Sequence, residues 1–235
     1  PTPNEQISAL VAGIDSRNVL GSCDAVLSGY LGSAEQGEHI KRVITRVRAA
    51  NPKALYVCDP VMGHPAKGCV VPEGVQKHHA EQSVALADVL CPNVLELGVL
   101  SASQPTTPTQ VVCAARALLC KGAGMVLVKH LAHAGYRPNE SFEMALVDAH
   151  TAWHIASPLL PFSRPPVGTG DLTSAVFLAR LLLGDEPRRA LEHTASAYHA
   201  VMQVTSAVDE YELQLVAAQE QLVTPNQWFT ARSIE

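Results

Sequence analysis

Apolar residues recur along the first part of the chain in two alternating patterns, which predict a succession of strands and helices. Short runs of consecutive apolar residues are typical of strands that are covered on both faces. Such runs lie at residues 24–33, 54–60, 88–92 and 124–131. Around them, apolar residues recur at the three- and four-residue spacing of one helix face. This spacing predicts helices over residues 4–13, 34–50, 73–86 and 107–122, and a further helix that begins near residue 93.

The remainder of the chain combines one predicted hairpin with a helical final third. Two segments rich in apolar and β-branched residues, near residues 142–147 and 152–155, predict a β-hairpin that turns through residues 148–151. Helical spacing then dominates the sequence. It predicts helices over residues 171–183, from 187 to about 208, and over 212–222.

Strands that alternate with helices favour an α/β fold, in which a mostly parallel central sheet is flanked by helices on both faces to give three layers. A chain of 235 residues with 47% hydrophobic residues suits a single domain, residues 1–235. Ligands of such sheets bind at the carboxyl ends of the strands. The residues that the sequence places at this edge are Asp59, Asn93, Glu96, Lys129 and the glycine-rich turn at 168–171.

The turn Gly168-Thr169-Gly170-Asp171 opens a predicted helix and allows two interpretations. An aspartate is favoured at a helix start because its carboxylate accepts bonds from free N–H groups and complements the helix dipole. Alternatively, the bare amides of Gly168, Thr169 and Gly170 bind an anion, and Asp171 acts as a base beside it. The turn alone does not decide between them.

The other residues at this edge suit phosphate and a divalent cation. Carboxylates such as those of Asp59 and Glu96 are ligands that Mg²⁺ prefers, and Lys129 offers a point charge to a phosphate group. Each residue also has a purely structural interpretation: Asp59 can turn the chain, Asn93 and Glu96 can cap a helix, and Lys129 can extend from a strand end. Their shared location at one sheet edge favours a site.

Sequence motifs of two common nucleotide-binding classes are absent. The chain contains no GxxxxGK followed by Ser or Thr, and no GxGxxG after a predicted strand, so neither a P-loop enzyme nor a dinucleotide dehydrogenase is supported. His64, in the glycine-rich loop after the second predicted strand, is a candidate substrate contact. The adjacent His78 and His79 are expected on a solvated helix face.

Composition and charge narrow the class of protein further. The net charge of −5 and scattered Lys and Arg residues argue against a nucleic-acid partner. No apolar run is long enough to span a bilayer, and the first residues do not resemble a signal peptide, so we expect no membrane partner. Six cysteines without a CxxC pair are typical of buried apolar positions in a reducing cytoplasm. We therefore expect a cytoplasmic protein without a zinc site.

An ordered series of short segments resembles one known family. The segments are SGYLGS, CDPVMGH with KGCVV close behind, PNVLELGVL, VLVKHL, GTGD and the late YELQLVAAQ. From about Ile7 to the C-terminus they resemble the pyridoxal kinases of the ribokinase superfamily, specifically the bacterial pyridoxamine/pyridoxal kinase branch. The resemblance implies a ribokinase-like fold, a homodimer, and phosphorylation of the 5′-hydroxyl of pyridoxal by MgATP in vitamin B6 salvage. It leaves open whether a monovalent cation is required and which B6 vitamer is preferred.

The resemblance also implies roles for individual residues. Asp171 matches the family's catalytic base and a substrate contact, and the anion hole corresponds to Gly168, Thr169 and Gly170. The nucleotide and metal–phosphate positions correspond to Asp59, Glu96 and Lys129, with Asp59 and Glu96 on the metal. Cys91 occupies a position whose backbone faces the nucleotide. The family's Arg-Pro-Leu-Val loop beside ATP is here Ser157, Pro158, Leu159 and Leu160, so a cation near the nucleotide is replaced by a serine.

The start of the chain departs from the family pattern. Relatives begin with an initial strand, a serine that contacts the pyridoxal ring and a Thr/Tyr-bearing segment over the substrate, whereas this sequence begins at Pro1. We therefore expect a ribokinase-like domain that lacks its N-terminal strand and substrate-contacting segment, and that is a poor or inactive kinase on its own. Two alternative functions stay open: a hydroxymethylpyrimidine kinase with the same superfamily site, and a non-catalytic protein that binds B6 vitamers.

Overall fold

A seven-stranded mixed sheet forms the centre of the computed structural model, which describes residues 3–234. Residues 1, 2 and 235 of the predicted domain lie outside the described residues. The strands of the main sheet are β1 Ala25–Ser28, β2 Leu55–Cys58, β5 Val89–Leu90, β6 Met125–Val128, β7 Ser141–Val147, β8 Ala152–Pro158 and β9 Arg232–Ser233. A separate two-stranded hairpin consists of β3 Gly63–His64 and β4 Gly68–Cys69.

The helices fill the connections between these strands. They are α1 Asn4–Asp15, α2 Ala34–Ala50, α3 Glu73–His78, α4 Val84–Leu86, α5 Val94–Ser101, α6 Pro108–Leu119, α7 Thr169–Leu182, α8 Pro187–Val208 and α9 Gln219–Val223. A π-helical turn, His79–Ser83, joins α3 to α4, and two short 3₁₀ helices cover Leu20–Ser22 and Ala132–Ala134. Among the described residues, none of the helices is both long enough and apolar enough to cross a membrane.

The order of the main sheet is β1-β2-β5-β6-β7-β8-β9. The pairs from β1 to β6 are parallel, and the pairs from β6 to β9 are antiparallel. It follows that β1, β2, β5, β6 and β8 point in one direction and that only β7 and β9 oppose them in this sheet of the described chain. The predicted three-layer α/β fold with a mostly parallel sheet is confirmed.

Both faces of the sheet are buried, which explains the unbroken apolar runs of the central strands. Tyr56 and Cys58 of β2 pack into the cluster formed with α2, α5 and α6. Val57 between them points to the opposite face and packs with Phe177 of α7 and Leu191 of α8. Successive residues of a strand alternate between faces, so a strand covered on both faces needs apolar residues at every position.

The chain after α8 differs from the predicted helix over residues 212–222. Only Gln219–Val223 is helical there. Glu212 instead forms an isolated bridge with Val167, and the N–H of Gln214 donates to Oγ1 of Thr205 in α8. These contacts with distant residues use backbone groups that a continuous helix would have bonded locally, so tertiary contacts override the helical periodicity. The strands β3, β4 and β9 were not predicted because two residues are too few to show a period of two and, unlike β5, they lie outside the runs of apolar residues.

The predicted helix over residues 73–86 is present with a π-helical turn, but His78 and His79 are buried rather than solvated. The ring of His78 lies against Gly37 of α2, where an added Cβ would be 2.3 Å from the ring. The side chain of His79 is 0% exposed, with Nδ1 3.0 Å from Oγ of Ser83 and Nε2 without a partner among the described residues. The prediction of a solvated face was wrong because a glycine on the neighbouring helix admits the His78 ring.

We predict that burial of His79 makes the stability of the protein depend on pH between about 6.5 and 4. Burial, with a smaller contribution from His78, lowers the pKa of His79 to about 4. As the pH falls below 6.5, the unfolded chain therefore binds a proton that the folded chain does not, and the free energy of unfolding decreases. Between pH 7.5 and pH 5 this histidine alone should account for a loss of about 2 kcal/mol.

Urea unfolding of wild type and of His79→Leu at both pH values measures this loss. The variant should lose about 2 kcal/mol less than wild type between the two pH values, since its position no longer titrates. The control is His133→Gln at an exposed position, which should keep the wild-type pH dependence. Equal pH dependence in His79→Leu and wild type would contradict the assignment.

Candidate active site

A cleft of about 270 Å³ opens at the carboxyl edge of the parallel strands. Asp59 follows β2, Glu96 lies in the first turn of α5 after β5, and Lys129 follows β6. All three line the cleft, and so do residues 168–171 at the start of α7. The prediction that these residues meet at one sheet edge is confirmed.

Asp59 and Lys129 form a buried ion pair at the floor of this cleft. The Lys129 ammonium lies 2.5 Å from Oδ1 of Asp59, and the side chains of both residues are less than a tenth exposed. Burial by itself would lower the pKa of Lys129, but the negative charges of Asp59 and Glu96 outweigh it and hold this pKa above its usual value. Lys129 therefore stays protonated, and its ammonium remains at the floor of the cleft as the partner of Asp59.

Glu96 serves both the cleft wall and the local backbone. Its Oε2 accepts the N–H of Asn93, while the Asn93 side chain accepts the N–H of Glu96, which completes a capping box for α5. Oε1 accepts the N–H of Met62 at 2.9 Å, just before the β3–β4 hairpin. Asn93 adds a bond from Nδ2 to the carbonyl of Gly63. Burial raises the pKa of the Glu96 carboxyl, although the charge of Lys129 opposes this shift.

The start of α7 presents free amides to the cleft. Gly168 is the N-cap residue, with φ of 80°, and no side chain caps the helix there. The N–H of Leu172 is bonded to the carbonyl of Gly168 as the helix begins. The N–H groups of residues 168–171 precede this bond and are oriented to receive an anion. The side chain of Asp171, at the third helical position, is exposed. Its negative charge complements the helix dipole, although the N-cap is Gly168.

Gly170 allows the helix start to approach Lys129 closely. A Cβ at this position would lie 3.0 Å from Nζ of Lys129 and 4.0 Å from Oδ2 of Asp59. A larger residue would therefore displace the ammonium or the first turn of α7. The glycine places the helix amides and the ammonium against the same volume of the cleft.

Five of the residues singled out in the sequence are not among the described residues that line the cleft. Cys91 is fully buried beneath it, with its N–H bonded to the carbonyl of Cys58, and burial raises the pKa of its thiol. The other four end or follow β8, whose direction brings them to the same sheet edge beside the cleft. They are Ser157, Pro158, Leu159 and Leu160.

An aromatic wall that the sequence did not predict as a whole closes one side of the cleft. His64, the predicted contact, lines it together with His130 and Phe142. The rings of His130 and Phe142 stack at 4.9 Å, and Phe142 stacks on Tyr198 at 4.2 Å. Burial, followed by the charge of His64, lowers the pKa of His130 to about 4, so the His130 ring is neutral near pH 7. Phe142 was missed because β7 is antiparallel, which brings the first residues of that strand to this edge instead of its last.

The carboxylates of Asp59 and Glu96 are better suited to bind a cation that enters with a nucleotide than to hold a permanently bound metal ion. Among residues 3–234, no group of three or more His, Cys, Asp or Glu side chains could hold a metal by itself. Asp59 and Glu96 both line the cleft. Both carboxylate oxygens of Asp59 and Oε2 of Glu96 accept one hydrogen bond each, so each retains a lone pair. Mg²⁺ is commonly bound by one or two carboxylates, phosphate oxygens and water, which matches this donor set.

Comparison with known proteins places this geometry among small-molecule kinases. The profile of the family described as phosphomethylpyrimidine kinase matches residues 5–215. The chain is 54% identical over 227 residues to pyridoxal kinase PdxY of Pseudomonas putida, covering 97% of this chain and 78% of that protein. It is 51% identical over 231 residues to pyridoxal kinase PdxY of Pseudomonas fluorescens, covering 98% and 79%.

Solved structures show the same fold at low sequence identity. Pyridoxal kinase from Leishmania donovani in complex with ADP and pyridoxamine is 19% identical, with a TM-score of 0.89 that covers 100% of this chain and 82% of that chain. The Plasmodium falciparum protein with ligands AMP-PNP and PL is 17% identical, with a TM-score of 0.87 that covers 99% and 82%.

We predict that replacing Lys129 by Met destabilises the protein by about 3–5 kcal/mol, because Asp59 is left as an unpaired buried charge. The double variant Asp59→Asn with Lys129→Met should recover a large part of this loss, since no charge is then left unpaired. Urea unfolding of both variants measures the difference. Lys77→Met removes a partner from the exposed pair with Glu81 and should cost less than about 1 kcal/mol. A similar small loss in Lys129→Met would show that Asp59 does not depend on its partner.

Proposed function

Because the chain belongs to the phosphomethylpyrimidine kinase family and, within it, to the pyridoxal kinases, we propose that its cleft transfers a phosphoryl group from ATP to the 5′-hydroxyl of pyridoxal. The reaction recovers the vitamin B6 cofactor from its unphosphorylated form. One observation carries the proposal beyond similarity: Asp171, the free amides of α7 and the Lys129 ammonium line the same cleft. This combination offers a proton acceptor beside a site built for negative charge.

The amides of residues 168–170 are proposed as the anion hole for the transferred group. Charge develops on the oxygens of a phosphoryl group as it moves between the leaving and attacking oxygens. Backbone N–H groups at a helix start are already oriented toward this charge, so no reorganisation is needed at the moment of transfer. Lys129 adds a full positive charge that Asp59 and Glu96 hold in place.

Asp171 is proposed as the catalytic base and as a substrate contact. The 5′-hydroxyl donates a hydrogen bond to its carboxylate. As the hydroxyl oxygen bonds to the γ-phosphorus of ATP, its proton passes to this carboxylate, and the bond from the phosphorus to the bridging oxygen breaks to release ADP. The side chain lies at the exposed rim of the cleft, next to the anion hole and accessible to an entering alcohol. Its position in the first turn of α7 fixes its distance from the amides that bind the phosphate.

The nucleotide and its Mg²⁺ are proposed to occupy the remainder of the cleft. Asp59 and Glu96 would hold the ion, and when bound it supplies positive charge that neutralises the phosphate oxygens. The segment from Ser157 to Leu160 would border the nucleotide through backbone and apolar contacts, because this chain lacks the family's arginine there. Cys91 would contribute backbone only, since its side chain is buried in the sheet.

We also propose that the protein works as a homodimer in the cytoplasm. The family resemblance supports the homodimer. The six cysteines are all free, which supports a reducing compartment. The family that matches residues 5–215 is described as phosphomethylpyrimidine kinase. This description favours a hydroxymethylpyrimidine kinase as the second candidate function.

We predict that the full-length protein consumes ATP with pyridoxal at a kcat/KM at least about 10-fold above that with hydroxymethylpyrimidine. A tenfold preference corresponds to about 1.4 kcal/mol in transition-state binding. A coupled assay of ADP formation with each alcohol measures the ratio. A preference for hydroxymethylpyrimidine would establish the second candidate, whereas vitamer binding without turnover would establish a non-catalytic binding protein.

We predict that Asp171→Asn lowers kcat for pyridoxal about 100-fold or more, because a general base commonly contributes this factor and an amide cannot accept the proton. ADP binding, measured by calorimetry, should change little because the anion hole is made of backbone. Asp24→Asn is the matched control, since Asp24 is exposed and precedes β1 at the opposite edge of the sheet. Unchanged turnover in Asp171→Asn would exclude Asp171 as the base.

A further inference from the structure

Ser174 carries a buried hydroxyl group that has no role in the proposed reaction as described above. It lies on α7 three residues after Asp171, and its side chain is 1% exposed. Its Oγ donates a hydrogen bond of 2.8 Å to Oδ2 of Asp59, which is itself 2% exposed. The two residues are 115 positions apart in the chain. The contact therefore depends on the packing of α7 against the end of β2.

The bond is not the usual one for a hydroxyl inside a helix. Such side chains commonly bond to the carbonyl four residues earlier in the same helix. The neighbouring Thr173 does so, with Oγ1 2.8 Å from the carbonyl of Thr169. Thr194, Ser196 and Thr205 on α8 follow the same pattern. Ser174 instead directs its hydroxyl across the fold to a carboxylate of the cleft.

Ser174 completes the support of the Asp59 carboxylate. Lys129 holds Oδ1 from the end of β6, and Ser174 holds Oδ2 from α7. The last torsion of an aspartate side chain has broad minima, so one contact would leave the carboxylate free to rotate about the axis of that bond. Two contacts from different elements fix the plane of the carboxylate. Its remaining lone pairs then keep one direction toward the cleft that Asp59 lines.

We propose that Ser174 is a positioning residue that orients Asp59 toward the cation and phosphates of the bound nucleotide. It acts through Asp59 and does not line the cleft among the described residues. The same bond ties the helix that carries the anion hole to the carboxylate at the floor, so the two halves of the phosphate site keep one spacing. The proposal rests on the proposed kinase function in assigning a nucleotide to this cleft.

The test compares Ser174→Ala with wild type in the binding of ADP with and without Mg²⁺, measured by isothermal titration calorimetry. A hydrogen bond to a charged group has an effect of about tenfold or more on an equilibrium, so ADP should bind about 10-fold more weakly to the variant when Mg²⁺ is present. Without Mg²⁺ the two proteins should differ less than threefold, because the amides and Lys129 are unchanged. In the kinase assay, Ser174→Ala should have a higher KM for MgATP or a lower kcat than wild type, while its KM for the vitamer stays within about twofold of the wild-type value.

Two further variants separate positioning from a general loss of packing. Thr194→Val removes a buried hydroxyl of α8 that bonds only within its helix, and it should bind MgADP as wild type does. Ser174→Cys keeps the size of the side chain with a weaker donor and should lie between wild type and Ser174→Ala. If Ser174→Ala does not fold, a loss of about threefold or more in Ser174→Cys supports the proposal and wild-type MgADP binding contradicts it.

The outcomes distinguish this proposal from the proposed function. Wild-type MgADP binding in a folded Ser174→Ala would overturn the positioning role even if pyridoxal is phosphorylated. Equal losses with and without Mg²⁺ would also overturn it, since they indicate a general change in the cleft. If wild type fails to phosphorylate pyridoxal while Ser174→Ala still loses MgADP affinity selectively, the substrate assignment is wrong and the positioning role stands.

Discussion

The ion pair between Asp59 and Lys129 is the contact on which the rest of the site depends. It joins the ends of β2 and β6, two strands that are separated in the sheet by β5. Both charges are removed from solvent, and a buried pair of this kind offers little net stability because desolvation offsets its attraction. Its value lies in geometry: it holds a protonated ammonium at the floor of the cleft. The close approach of Gly170 and the bond from Ser174 both depend on the position of this pair.

Structure and chemistry share the same residues at this edge of the sheet. Glu96 and Asn93 cap α5 and at the same time hold the base of the β3–β4 hairpin, so they are structural residues whose carboxylate and amide also face the cleft. Asp171 likewise complements the dipole of the helix whose free amides adjoin it. The structural and the functional interpretation of these residues are therefore compatible, because a helix start that is stabilised by a carboxylate can also bind an anion.

Much of the site is predictable from the sequence because parallel strands end at one edge. Asp59, Glu96 and Lys129 each follow a strand that the apolar runs marked clearly, and the glycine-rich turn precedes a well-marked helix. Phe142 was not predicted because the direction of β7 depends on pairing that the sequence does not show. The buried state of His78 depends on a glycine of another helix, and the loop at Glu212 depends on a bridge to Val167. Local periodicity carries no information about such distant partners.

The base of the β3–β4 hairpin has a consequence for how this sequence can diverge. Glu96 and Asn93 bind backbone groups of Met62 and Gly63, so the attachment makes no demand on the side chains of the hairpin tip. At Gly63 the demand is strict, since an added Cβ would lie 2.1 Å from the carbonyl oxygen of Gly68. Substitutions can accumulate at residues 64–67 without detaching the hairpin, whereas Gly63, Asn93 and Glu96 must be retained as a set. Homologues can thus acquire different tips on an unchanged base.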